Sequence, residues 1–279
     1  MVRTENKAIR WREFEIWLLN QYKPTVARER RNYAKKYADL LLQADLSPLQ
    51  SLNVDKRLHV LKALSALSKF LGNHEDFRLL VKNHGFKWSV SSDDLIIRRL
   101  TKSRDTQRVF NWIKEVKETS PELSPFMDFI TMSGLRLVEA LESYNLIIRL
   151  ADSGRLAQYY DQERETLEHF KFKEIFLRKT KKAFISFVPR TMITRIAESK
   201  PLTHSYVISI RKKGLKRMFG DIREAYATLL TKHLSPAEID FLQGRVSGTV
   251  FMRNYFNPAL IRDLKERVFK GLADFETNL

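Results

Sequence analysis

Thr131-Met-Ser-Gly-Leu-Arg-Leu-Val-Glu-Ala-Leu141 writes a helix, a break and a second helix into one short segment. Ser133 and Gly134 end the first helix, and Leu135 begins the next. Arg136 falls in the first turn, where free backbone N–H groups also favour an anion. Glu139 stands three residues on, within reach of the Arg136 guanidinium. An Arg–Glu pair at that spacing is usually a surface pair contributing little, so its meaning depends on what lies around it. Upstream, helices are predicted over about 105–118 and 122–133, and downstream a polar, acid-rich helix near 150–168.

Glu174-Ile-Phe-Leu-Arg178, then Lys-Thr-Lys-Lys182, then Ala183-Phe-Ile-Ser-Phe-Val188 reads as a β-hairpin by aromatic and β-branched content. Its tip carries Lys179, Lys181 and Lys182. Ile222, Tyr226, Leu229 and Leu230 then form an apolar helical stripe with Arg223 near its start. A buried arginine is costly unless paired, so either Glu224 neighbours it in a structural role or it faces an anionic ligand. A helix from Ser235 to Leu242 has Ser235 as its cap, Pro236 first and Glu238 third.

The segment Asp240-Phe-Leu-Gln-Gly-Arg-Val-Ser-Gly-Thr-Val-Phe-Met-Arg-Asn-Tyr-Phe-Asn-Pro258 sets Arg245 and Tyr255 on either side of a glycine-interrupted turn. A phenol of ordinary pKa about 10 attacks nothing at neutral pH unless fixed cations stabilise the charge involved. Arginine suits that task, because its planar fork holds two phosphate oxygens and keeps its charge. Leu260, Ile261, Leu264, Val268, Leu272 and Phe275 follow at helical spacing and need a surface to cover them.

Residues 8–85 read as a basic helical module. In Thr25-Val-Ala-Arg-Glu-Arg-Arg-Asn-Tyr-Ala-Lys-Lys-Tyr-Ala-Asp-Leu-Leu-Leu42, Val26, Tyr33, Tyr37, Leu40 and Leu41 recur at helical spacing. Arg28, Arg30, Arg31, Lys35 and Lys36 occupy the other positions, either as a solvated face or as a phosphate-facing one. A second helix over roughly Val54–Leu71 looks like core. The Ser/Asp cluster and basic run of 89–104 reads as a linker, giving domains 1–88 and 105–279.

The 279 residues carry 50 Lys plus Arg against 33 Asp plus Glu, a formal charge of +17, which calls for a polyanion such as nucleic acid. Both parts contribute: residues 1–92 hold 17 basic and 9 acidic side chains. The absence of cysteine excludes thiol catalysis and zinc–cysteine fingers, and the six histidines show no paired ligand spacing, so no metal is expected. The glycine loops of nucleotide sites are missing, so no cofactor is expected. With no 18-residue apolar run and no hydrophobic signal core, the chain is expected in the cytoplasm, away from membranes.

Gly134-Leu135-Arg136-x-x-Glu139, a hairpin-tip lysine, Ile222-Arg223-x-x-Tyr226, Leu242-x-Gly244-Arg245 and Tyr255 together resemble, in order, the motifs of tyrosine recombinases. The resemblance is greatest to the integrases of archaeal viruses and plasmids. It implies a mainly α fold, with a helical N-terminal core-binding domain and a mostly helical catalytic domain holding a small antiparallel β-sheet. It also implies that Arg136, Arg223 and Arg245 hold a scissile phosphate in double-stranded DNA, that Glu139 supports Arg136, and that Tyr255 attacks. Lys181 is taken as the proton donor over Lys179 and Lys182 because its distance to the Val188–Pro189 strand end best fits the family pattern. The tail would pack on its own domain or, as the resemblance implies, on a neighbouring protomer to assemble a tetramer on DNA. Two positions depart from the family: Gly220 stands where a histidine or lysine is usual, and Arg245 where histidine is commoner. The chemistry is shared by type IB topoisomerases, while charge alone would also suit a non-catalytic DNA-binding module or an RNA-binding helical protein.

Overall fold

Apolar residues repeat at helical intervals through most of this chain, so helices are the economical way to bury them. The computed structural model describes residues 9–88, 93, 96–97, 106–178, 181–210, 215, 218–245, 257 and 261–276. The chain divides into two compact units, Met1–Ser103 and Arg104–Leu279. Most of the predicted linker, 89–104, lies outside the described residues.

The N-terminal unit contains α1 (Trp11–Gln21), α2 (Pro24–Leu42), α3 (Val54–Leu71) and α4 (His74–Asn83). Asn53 caps α3 by accepting from the Lys56 N–H at 2.9 Å. The buried line of α2 is Ala27, Ala34, Ala38 and Leu41, whereas Tyr33, Tyr37 and Leu40 pack at the margin and Val26 is exposed. The larger side chains are therefore not the inner stripe. Small alanines let α2 lie close against α3, whose own inner face includes Ala63 and Ala66.

In the C-terminal unit, α5 (Thr106–Thr119), α6 (Ser124–Ser133) and α7 (Leu137–Asp152) follow the predicted break at Ser133–Gly134. They surround a core that includes Trp112, Ile113, Phe126, Phe129, Tyr144 and Ile147. The buried Asp128 accepts from Lys117 at 2.8 Å and from Arg195 at 2.6 Å, fastening α6 to α5 and to α9 (Arg190–Ala197).

The acid-rich helix expected near 150–168 is replaced, after Asp152, by turns and strands. Gly154 at φ 67° ends α7, with the Arg155 N–H returning to the Leu150 carbonyl at 2.7 Å. Asp161 Oδ1 then accepts from the Glu163 and Arg164 N–H groups, both at 3.0 Å. This Asx turn folds β1 (Tyr160–Asp161) back onto β2 (Thr166–Leu167). β3 (Ser186–Phe187) pairs antiparallel with β2, completing a three-stranded sheet in the order β1-β2-β3.

The predicted hairpin over 174–188 is thus half correct. Its second arm is a strand, but Lys173–Phe176 forms a single helical turn, α8, that drives Phe176 into the core against Tyr159 and His169. Between the arms remains a bridge, Leu177 to Lys182, with the Arg178 N–H donating to the Lys181 carbonyl at 3.0 Å. A buried polar chain ties this sheet to α7: Ser143 Oγ to Tyr159 Oη at 2.8 Å, Tyr159 Oη to His169 Nδ1 at 2.6 Å, and His169 Nε2 to Ser186 Oγ at 2.9 Å.

The remaining helices are α10 (His204–Ile208), α11 (Phe219–Leu230), α12 (Pro236–Leu242) and α13 (Leu264–Glu276). The tail packs on its own unit. Leu264, Val268 and Leu272 are buried with Ile261 beside them, chiefly against α11; Leu260 and the Phe275 side chain lie outside the described residues. Arg267 forks onto Glu238 at 3.1 and 2.5 Å, and Gly271 lies where a Cβ would come 2.6 Å from Leu230. Burial raises the Glu238 carboxyl, but the bonds from Arg267 and Ser235 outweigh it and hold the group below its ordinary value.

Three buried aliphatic side chains are each worth about 1.5–3 kcal/mol. Deleting residues 259–279 is therefore expected to unfold the C-terminal unit, seen as loss of its cooperative thermal transition by circular dichroism. A second expectation concerns acid. Burial pulls the His169 imidazole down to about 3, so the folded ring stays neutral while the unfolded one protonates below about 6.5. Stability is complete above pH 6.5 and should fall by roughly 1.4 kcal/mol per unit as pH drops toward 3. Urea midpoints measured from pH 7 to 4.5 should show this slope, and His169→Asn should remove it.

Candidate active site

Gly134 is the hinge of the site. It ends α6 in the left-handed conformation at φ 59°, and a Cβ there would sit 2.5 Å from the Tyr226 ring. Its carbonyl accepts from Arg223 Nη1 at 2.8 Å, and Arg223 Nη2 donates to the Gln243 carbonyl. Gln243 answers by donating from Nε2 to the Arg223 carbonyl at 2.8 Å. Carbonyl dipoles alone therefore fix this guanidinium; among the described residues no carboxylate bonds to it. Burial first, then the nearby Arg136 and Arg245 charges, pull Arg223 down to about 10.

Arg136 immediately precedes α7 with an extended backbone, and Glu139 accepts both from its N–H at 3.3 Å and from its Nη1 at 2.9 Å. Glu139 is 1% exposed, so this is no surface pair. Arg136 Nη1 also reaches the Lys182 carbonyl at 3.4 Å. A residue that sequence reasoning missed joins them: Arg178 Nη2 donates to Glu139 Oε1 at 2.9 Å. The separation of 39 residues hid that contact, and the only signal was a lone arginine beside the lysine cluster.

The end of α12 brings in Arg245. Gly244 N–H bonds to the Phe241 carbonyl at 2.9 Å and Arg245 N–H to the Asp240 carbonyl at 2.7 Å, a Schellman turn with Gly244 at φ 60°. A Cβ on Gly244 would lie 1.7 Å from the Lys182 carbonyl oxygen, so the lysine turn is seated directly on this glycine. Arg245 itself is half exposed, with Nε 3.4 Å from Asp240. Lys181 is exposed in the same turn, while Lys179 and Tyr255 lie outside the described residues. Gly220 opens onto free space in the first turn of α11.

In the N-terminal unit, Arg28, Lys35 and Lys36 are exposed. Arg30 stacks 3.8 Å over the Tyr22 ring, Lys35 lies 5.6 Å over Trp11, and Lys36 lies 5.8 Å over Tyr37. Arg31 is committed to Glu15 of α1, which makes it a structural cation rather than a free one. Among the described residues no cluster of His, Asp or Glu could hold a metal ion, and no helix is long and apolar enough to cross a membrane.

Replacing Gly244 with alanine should disturb two segments at once, since the left-handed backbone costs a non-glycine residue about 1–2 kcal/mol before the collision with Lys182 is counted. A melting temperature lowered by several degrees is expected, and an unchanged one would contradict this packing.

Comparison with curated proteins and with solved structures finds no match to this chain. A family model described as archaeal phage integrase matches residues 102–268, which spans the three arginines, the lysine turn and the start of α13. The chain belongs to the archaeal phage integrase family.

Proposed function

We propose that this chain is a site-specific recombinase that cleaves and rejoins DNA strands through a 3′-phosphotyrosine, integrating or excising a mobile element. The observation that carries the reading is Arg223: a guanidinium fixed by carbonyls, its proton affinity lowered by burial and by Arg136 and Arg245. Such a cluster is a strong anion site, and family membership makes the anion a DNA phosphate.

In the proposed reaction Tyr255 Oη attacks the scissile phosphorus in line, the P–O5′ bond breaks, and Lys181 protonates the departing 5′ oxygen. Arg136, Arg223 and Arg245 stabilise the negative charge on the nonbridging oxygens, and Glu139 keeps Arg136 aligned. The phosphotyrosine conserves the bond, so a 5′ hydroxyl from a second strand reverses the step without an energy cofactor. Gly220 can transfer no proton, so water or Asp221 takes whatever part of that role the reaction needs. Arg28, Arg30, Lys35 and Lys36, with Lys179 and Lys182, supply backbone contacts to duplex DNA, and the domains follow 1–88, the linker 89–104, and 105–279. Recombination joins two sites, which calls for a tetramer on DNA, acting in the cytoplasm where element and host DNA meet.

A pool of nicked and intact duplexes incubated with the protein should yield a detergent-resistant protein–DNA adduct. Tyr255→Phe should bind the same duplexes, with a log–log salt slope growing by roughly 0.9 per phosphate contact, yet form no adduct. An adduct from the Phe variant would remove Tyr255 as nucleophile. Binding without any adduct from the unaltered chain would leave a DNA-binding protein that does not cut.

A further inference from the structure

We infer that Arg178 is a positioning residue that neutralises Glu139, so that Arg136 meets the phosphate at full charge; this rests on the strand-transfer reading above. Glu139 is enclosed at 1% exposed, and its two oxygens accept four hydrogen bonds from three donor atoms. Oε1 accepts from Arg136 Nη1 and from Arg178 Nη2, each at 2.9 Å, while Oε2 accepts from Arg136 Nη1 at 3.0 Å and from the Arg136 N–H at 3.3 Å.

A carboxylate that aligns an arginine also cancels it. Arg136 and Glu139 alone would present a neutral pair to DNA, useful for geometry and poor for stabilising an anion. With Arg178 on the same oxygen the trio carries one net positive charge, and both arginine side chains reach solvent, Arg136 at 26% and Arg178 at 33% exposed. Arg178 Nη2 is spent on Glu139, and its Nε is buried without a partner. Its own N–H meanwhile closes the turn at the Lys181 carbonyl at 3.0 Å, so the residue that balances the carboxylate is also the one that starts the lysine turn.

A charge role and a purely mechanical anchor predict different rescues. Arg178→Lys keeps the charge and loses the planar fork, whereas Arg178→Gln loses the charge. If balance is what matters, Arg178→Gln should slow single-turnover adduct formation by about 10- to 100-fold, a little less than the loss of one direct charge-stabilising donor. Arg178→Lys should recover to within about tenfold of the unaltered chain, and Arg178→Gln combined with Glu139→Gln should be about tenfold faster than Arg178→Gln alone. Equilibrium binding to a duplex should follow, the log–log salt slope falling by roughly 0.9 in Arg178→Gln and returning in the double variant. Thermal melting of each variant checks that it folds. Should Arg178→Gln not fold, Glu139→Gln asks the same question in reverse, with a slope roughly 0.9 steeper than that of the unaltered chain.

An Arg178→Lys variant as slow as Arg178→Gln, a double variant no faster than the single one, or a slope unmoved in Glu139→Gln would each overturn the inference and leave Arg178 as an anchor. If the unaltered chain forms no adduct, the strand-transfer reading fails by itself, and the salt slopes alone decide the role of Arg178.

Discussion

The C-terminal unit depends on a half-buried guanidinium held by backbone carbonyls. Arg223 reaches from α11 to the carbonyl that ends α6 and to the one that ends α12, so three helices meet at one side chain. An arginine taken from water demands strong compensation, and here the partners are dipoles, which satisfy its hydrogen bonds without cancelling its charge. That distinction separates a structural arginine from one kept available. Around it the two left-handed glycines follow as necessities. Gly134 must lack a Cβ because Tyr226 presses on it, and Gly244 because the Lys182 carbonyl does.

The same economy shows in how the carboxylates are distributed. Glu238 and Asp128 are each bound by cations in roles that fasten helices, one on α13 and one on α5 and α9. Glu139 alone among these three touches the arginine group, and it too is buried. These three carboxylates are thereby spent on architecture or alignment, within a chain of marked positive balance.

Much of this was legible because it is local. The helix ends at Ser133–Gly134 and at Ser235 follow from capping chemistry within a few residues, and the helices over 106–133 follow from periodicity. What failed was nonlocal or carried by small residues. The strand Ser186–Phe187 finds its partner at Thr166–Leu167, inside a stretch read as a helix, because an Asx turn at Asp161 outweighs the helical character of its acidic neighbours. The inner line of α2 is alanine, which a search for large apolar side chains passes over. Arg178 could not be assigned from the sequence because its meaning lies in a carboxylate 39 residues away.

The ion pair between Glu238 and Arg267 fastens together the helices on either side of the stretch that carries Tyr255. Tyr255 is six residues from Ile261, and a fully extended chain spans at most about 3.5 Å per residue, which sets a leash of about 20 Å from that point. Tyr255, the nucleophile of the proposed reaction, therefore lies within that distance of Ile261. Cutting the Glu238–Arg267 fastening would free the anchor from which that reach is measured. The placement of the last helix thus bounds the space in which the proposed nucleophile can be found.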